Sequence, residues 1–326
     1  MRSARPRGKV GSAGCGARFG CHVCTVSSDR SMEAMIEQDE YAYMAPLNKL
    51  RNWLAYSATV PEFRNYLSKG LTEQGEISIS PNTMSPLWTE QTLMMVLSIQ
   101  EDEFDYALAN NCQPRFVLLN AEQLWVIELG WLRYGHHVPL RAQKLRRLVE
   151  LGARLYPPDD CPAPLSKPIL AGSMKLPFAG DHYDDDFLGL RDVLGEFTDT
   201  TGTITKRNSK GEHHTYTDVP AGESLAFDEQ GMFDYEEFML DRDIARFSNP
   251  DVRPGLVLMH LLRIGWISLP RSGHADWDRM IRHANRIHEL GLTPILNDPV
   301  ALVERLGGSR ETYAAGDQYD LFSEAV

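Results

Sequence analysis

A mostly α-helical fold is predicted by three features of the sequence. Proline repeatedly stands at the head of an apolar stretch of helical period, as Pro46 does before Leu47, Leu50 and Leu54, and Ser85-Pro86 before Leu87, Leu93, Met94 and Leu97. Asn120 and Gln123 have the spacing of a capping box, in which each side chain serves the other's backbone N–H. Strand-like alternation is confined to Glu76–Ser80, with isoleucine at 77 and 79. A length of 326 residues allows one large or two ordinary domains, and 43% hydrophobic with 24% charged residues is the balance of a globular chain.

Taken in order, Ser28 and Asp29 are N-cap candidates for a helix to about Gln38, and Pro46 opens a second helix. Trp53, Tyr41 and Tyr43 read as packing residues. After the short strand, one helix is expected from Ser85-Pro86 to Gln100 and a separate one from Asp102 to Ala109. The capping box starts a helix to Tyr134, and Pro139 starts the next, which carries the basic run Arg141, Lys144, Arg146 and Arg147. That run reads as a solvated face, with phosphate contact as the alternative. Five prolines between 157 and 172 mark a linker, Asp181–Asp186 is an acidic solvated stretch, and Thr198–Thr217 is a polar loop or short hairpin. In the last third, helices are expected over Phe233–Phe247, Pro254–Ile267 and Asp276–Leu290, the last ended by Gly291, and a final one opens at Asp298-Pro299. The histidine pairs His136-His137 and His213-His214 have no ligand spacing, and His283 and His288, five apart, do not share a helix face.

The predicted boundaries are 1–56, carrying a cysteine cluster, 57–156, helical, 157–222, linker and polar loop, 223–308, a helical subdomain, and 309–326, a tail. No run approaches the roughly 18 apolar residues of a membrane span, because His260 and Arg263 interrupt the most apolar stretch, Gly255–Leu269. No apolar segment follows the basic first residues as in a secretory signal, and five unevenly placed cysteines do not form a disulfide framework. A reducing cytoplasm is the expected location. A net charge of −12 argues against a surface coated for nucleic acid. The first thirty residues are nevertheless basic, with Arg2, Arg5, Arg7, Lys9, Arg18 and Arg30 against Asp29, and either face phosphate or are simply solvated.

The chemical signal is Cys15-Gly-Ala-Arg-Phe-Gly-Cys21-His-Val-Cys24-Thr, which holds three of the five cysteines. C-x-x-C spacing lets the Cys21 and Cys24 thiolates converge on one metal, and Cys15 lies across a glycine-containing turn, within reach as a third ligand. An iron–sulfur cluster and a tetrahedral zinc ion both accept such thiolates, whereas a redox dithiol would use Cys21 and Cys24 alone. The fourth ligand is open, with Cys112, Cys161 and His22 as the substitutes in the chain. No G-x-S-x-G, Walker A or G-x-G-x-x-G motif occurs.

With Ser31-Met32-Glu33-Ala34-Met35-Ile36 following it, the cysteine segment resembles phosphoadenosine phosphosulfate (PAPS) reductase-like proteins, closest to their DNA phosphorothioation sulfurtransferase (DndC-type) branch. There an R-F-G-C-x-x-C-T segment and a helix of S-M-x-A-M/L-I pattern follow the nucleotide-binding domain. The resemblance is specific over residues 15 to 54 and looser over 55 to 326. It implies that the chain begins in the tail end of an α/β adenine-nucleotide α-hydrolase-like (PP-loop) domain, followed by a helical C-terminal region. It also implies a 4Fe–4S cluster held by Cys15, Cys21 and Cys24, ATP-dependent activation of an acceptor, and sulfur delivered by a cysteine desulfurase. The implied partners are DNA and other phosphorothioation proteins. Two features depart from the pattern: His22 stands where the branch has an aromatic residue, and the S-G-G-x-D-S phosphate loop is missing. The chain therefore looks like a C-terminal portion that would bind ATP only with an upstream domain. The alternative is a non-catalytic zinc- or cluster-bearing module that binds DNA or a partner protein, or an inactive remnant.

Overall fold

A computed structural model describes residues 30–72, 74–164, 173–178, 203–207, 213–217, 225–269, 274–311 and 313. The chain divides into two compact units, residues 1–59 with 156–166, and residues 60–155 with 167–326. Most described residues are helical.

In the first unit, α1 (Arg30–Ile36) leads through a 3-10 turn, Asp39–Met44, into α2 (Ala45–Ser57). Pro46 sits in the first turn of α2, where a missing N–H costs nothing. Leu47, Leu50 and Trp53 are buried on one face, so Trp53 takes the place expected for the half-buried Leu54.

The second unit opens with a strand the sequence did not announce, β1 (Arg64–Leu71). It pairs antiparallel with β2 (Glu76–Met84), which in turn pairs with β3 (Met174–Pro177). Register shifts on either side of Leu67 break the alternation in β1, and for that reason Arg-Asn-Tyr-Leu-Ser-Lys-Gly-Leu does not read as a strand. Leu67, Ile77, Ile79 and Leu176 bury the inner face of this sheet.

Helix α3 (Pro86–Ala109) is a single 24-residue helix capped by Ser85, not two. Neither glycine nor proline interrupts it after Pro86, and the acidic run at 101–103 stays helical. Helix α4 (Ala121–Tyr134) has the expected capping box, with both reciprocal bonds formed, and ends on Gly135 at φ 64°. Helix α5 (Arg141–Glu150) begins two residues later than Pro139 suggested, after Leu140 at φ 58°. Instead of a single helix over 233–247 there are two, α6 (Glu229–Phe238) and α7 (Leu240–Phe247), separated at Met239. Helix α8 (Pro254–Ile264) stops short of Ile267 because Gly265 turns left-handed at φ 92°. The chain then adds Ile267–Ser268 (β7) beside Ala226–Phe227 (β6). Helices α9 (His274–Glu289) and α10 (Pro299–Arg305) complete the unit, the latter capped by Asp298 as expected. Strands β4 (Thr203–Arg207) and β5 (His213–Thr217) form the short hairpin foreseen as one option for that stretch.

Three apolar clusters pack the described part of this unit. The largest gathers Trp125 and Leu129 of α4 with Tyr235, Leu258, Leu261, Trp266 and Ile281. A second lies between α3, α4 and α5, around Leu97, Leu124 and Leu145. The third lies between the three-stranded sheet and α10.

Candidate functional site

The candidate ligands Cys15, Cys21 and Cys24 lie outside the described residues, as do His22 and Asp181–Asp186. Of the other substitutes for a fourth ligand, Cys112 is exposed and Cys161 half-buried. Burial, with the charge of Asp160, pushes the Cys161 thiol up, which disfavours the thiolate a metal needs. Among the described residues no group of three or more His, Cys, Asp or Glu side chains is placed to hold a metal ion.

The described residues instead concentrate their buried polar chemistry at the joint between α4 and α5. Gly135 ends α4 and the chain turns through His136 and His137, both buried. At the turn's end Leu140 offers no side-chain cap, and α5's first N–H groups would be orphaned. Glu128, from the preceding helix, supplies the acceptors: its Oε1 accepts from Leu140 N and its Oε2 from Ala142 N, each at 2.8 Å. Burial pushes its carboxyl up to about 7, against the opposing pull of these backbone donors.

His137 stacks on Trp131 at 3.7 Å and lies between two groups of α3. Its Nε2 is 2.9 Å from Thr89 Oγ1 and its Nδ1 3.2 Å from Glu90 Oε1. The other Glu90 oxygen accepts from Arg141 Nε at 2.8 Å and Nη2 at 2.6 Å. Burial raises the Glu90 carboxyl, but the hydrogen bonds from His137 and Arg141 outweigh it and leave the carboxyl below its ordinary range. Burial likewise lowers His137, with Glu90 opposing. A hydroxyl, an imidazole and a carboxylate in a row have the composition of a proton relay. The His137 side chain is only 2% exposed, however, so no solute reaches the imidazole, and the row acts as a clamp from α3 onto the α4–α5 turn.

His136 faces the sheet. Asn65 Nδ2 lies 3.2 Å from its Nε2, while Asn65 Oδ1 accepts from Leu67 N at 2.9 Å, bridging the first register shift of β1. Burial, then the nearby His137, Lys69 and His283, depress His136 to about 3, and burial with Arg279 depresses His283 to about 4. Both rings are therefore neutral across the physiological range.

A second polar group centres on Asp243, which is fully buried. Its Oδ2 accepts from Tyr235 Oη at 3.1 Å and lies 2.7 Å from His260 Nε2, and Arg242 reaches Oδ1 at 3.2 Å. Burial and the Asp243 charge hold the tyrosine hydroxyl protonated. The break at Met239 makes this possible: eight residues along an unbroken helix would separate Tyr235 from Asp243 by ~12 Å of axis.

The three arginines of the basic run on α5 are each paired with carboxylates. Arg141 pairs with Glu90, Arg146 with Glu236, and Arg147 with Glu150 and Asp241. Reading the run as a solvated face overlooked Glu90, Glu236 and Asp241 because they come from α3, α6 and α7, far away in sequence. Glu128 did leave a trace: it sits among Leu124, Trp125, Leu129 and Leu132 on the apolar face of α4, where a carboxylate needs a buried partner. Compared with known proteins, the chain matches no family model, no curated protein and no solved structure.

Proposed function

We propose that this chain belongs with the PAPS reductase-like proteins of the DNA phosphorothioation sulfurtransferase branch, as their cysteine-bearing segment and helical C-terminal region. One observation carries the reading: Cys15, Cys21 and Cys24 at their spacing around Arg-Phe-Gly, with Ser31-Met-Glu-Ala-Met-Ile following them. That α1 spans Arg30–Ile36 and α2 follows from Ala45 is in keeping with it. Residues 1–56 would then be the tail end of a PP-loop domain, in a reducing cytoplasm.

The donor set fits a 4Fe–4S cluster in type, with three thiolates for three corners and the fourth ligand unassigned. Cys15, Cys21 and Cys24 would hold it, and the positive charge of the cluster core would offset part of their thiolate charge. In this reading ATP activates a DNA backbone phosphate as acceptor and a cysteine desulfurase supplies the sulfur. The activation step needs the phosphate loop, which this sequence does not contain. The chain alone is expected to release no pyrophosphate from ATP.

The same thiolates also suit zinc, and in that case the chain is a binding module rather than part of an enzyme. Anaerobic purification followed by iron, zinc and acid-labile sulfide analysis separates the two. The sulfurtransferase reading expects iron with sulfide and a visible chromophore that Cys21→Ser abolishes. Stoichiometric zinc without sulfide, or a chromophore that survives Cys21→Ser, would overturn it.

A further inference from the structure

A cleft of about 280 Å³ opens between α3, the segment leading into α4, and α5, away from the Glu128, His137 and Asp243 groups. Its floor is apolar, formed by Leu97, Phe104, Leu124 and Val149. Its outer wall is the segment from Val117 to Leu119, and that wall is fixed in place. Gln100 Oε1 accepts from Leu118 N at 2.7 Å and Leu119 N at 2.8 Å, and Gln100 Nε2 donates to Leu119 O at 3.0 Å. Glu103 holds the segment's start by accepting from Arg115 N at 2.6 Å and from the Nε–Nη2 edge of the Arg115 guanidinium. The cleft is thus preformed, as small-molecule sites generally are.

Charge within it is unbalanced. Arg146 is the cation of the lining, and two carboxylates already face it: Glu236 at 3.1 Å from Nη1 and Glu150 at 3.5 Å from Nε. Glu150 also accepts from Arg147. Outside the cleft, Asp102 and Asp105 are both matched by Arg154. Glu101 lines the cleft and makes no hydrogen bond or ion pair among the described residues. Burial and the nearby charges of Asp105, Glu150 and Asp102 push its carboxyl up, with only Arg154 opposing. An apolar floor beside a carboxylate without an ion-pair partner among the described residues suits a ligand that brings both a greasy body and a positive end.

We propose that the α3–α5 cleft binds small organic cations, an ammonium or guanidinium on a short apolar stem, with the stem on Leu97, Phe104, Leu124 and Val149 and the cationic end at Glu101. An anion is disfavoured because the arginine it would seek is already surrounded by carboxylates. The site is independent of the cysteine cluster and of the sulfurtransferase reading.

The test is ligand-observed NMR titration of the full chain with three probes of equal stem, n-hexylammonium, hexanol and hexanoate. Hexylammonium should bind saturably and about tenfold more tightly than hexanol, with hexanoate weakest. Glu101→Gln should bring hexylammonium down to the affinity of hexanol. Val117→Lys, at a position 58% exposed, places a tethered ammonium at the mouth and should abolish binding. Equal affinity for hexanol and hexylammonium, or hexylammonium binding unchanged in either variant at unaltered melting temperature, would overturn the proposal. Should a variant fail to fold, the three-probe comparison on the native chain decides alone.

Discussion

Glu128 is wholly buried, yet it has no cation for company and is held only by backbone N–H groups. Its folded-state value of about 7 against an ordinary 4.5 means that between those values the folded chain holds a proton the unfolded chain has released. Folding stability from this group is therefore fully present below 4.5 and falls as pH rises toward 7. His136 and His283 work in the opposite sense. Depressed to about 3 and about 4 from 6.5, they are neutral in the folded chain where the unfolded chain is charged, so their contribution is lost as pH falls below 6.5. In the window from about 4.5 to 6.5 the protons of His136 and His283, with His137 acting in the same sense, oppose one carboxyl proton, and stability declines on acidification. Replacing Glu128 with Gln removes the compensating proton, so the decline should steepen by about 1.4 kcal/mol per pH unit. Urea unfolding of both proteins at several pH values in that window checks this, and parallel lines for wild type and Glu128→Gln would refute the assignment. The sequence placed Glu128 on an apolar face but showed no reason for it, because its partners are backbone atoms that no side-chain pattern encodes. His136-His137 was legible only as an adjacent pair, since the groups that bury it, Asn65 and Glu90, come from β1 and α3.

Elements with local punctuation were readable and the others were not. The box Asn120–Gln123, Pro46 in α2 and Asp298-Pro299 in α10 each announce a helix start through residues within four positions of it, and the structure has all three. The break at Met239 has no glycine or proline behind it. It follows from burial of both Tyr235 and Leu240 and from the Tyr235–Asp243 hydrogen bond, all of them tertiary. The start of α5 shows how packing overrides backbone preference. Leu140 holds φ 58°, a left-handed conformation costly for a side-chain-bearing residue, while its side chain is completely buried. Relief of that conformation by Leu140→Gly is worth about 1–2 kcal/mol. Loss of the buried leucine costs about 3–5 kcal/mol. Packing wins, and the variant should be about 2–3 kcal/mol less stable by chemical denaturation; a variant as stable as wild type would mean that the strain equals the packing.

At the scale of the whole chain, the cysteine segment is the most legible feature of the sequence, because metal-type spacing is local and survives without a fold. The helical part is the reverse, since its organisation lies in shared helices. Helix α4 lends Trp125 and Leu129 to one apolar cluster and Leu124 to another, and α9 lends Ile281 and Ala284 to the first cluster and Ile287 to the sheet cluster. The clusters of residues 60–155 and 167–326 are thus mechanically joined through the contact of α4 with α9, in which Gly135 packs against Ala284. A Cβ there would stand 2.7 Å from Ala284 Cα and 2.9 Å from its carbonyl oxygen, both backbone-linked atoms, at a φ of 64° that glycine alone tolerates easily. Gly135→Ala must therefore push α9 away from α4, at a cost of about 2–3 kcal/mol. If the clusters share one cooperative unit, native-state hydrogen exchange should show amides of α4, α8, α9 and the β1–β2 pair losing protection by the same free energy. Loss confined to residues 133–142 would show instead that the sheet cluster opens on its own and that α9 does not couple it to the helices.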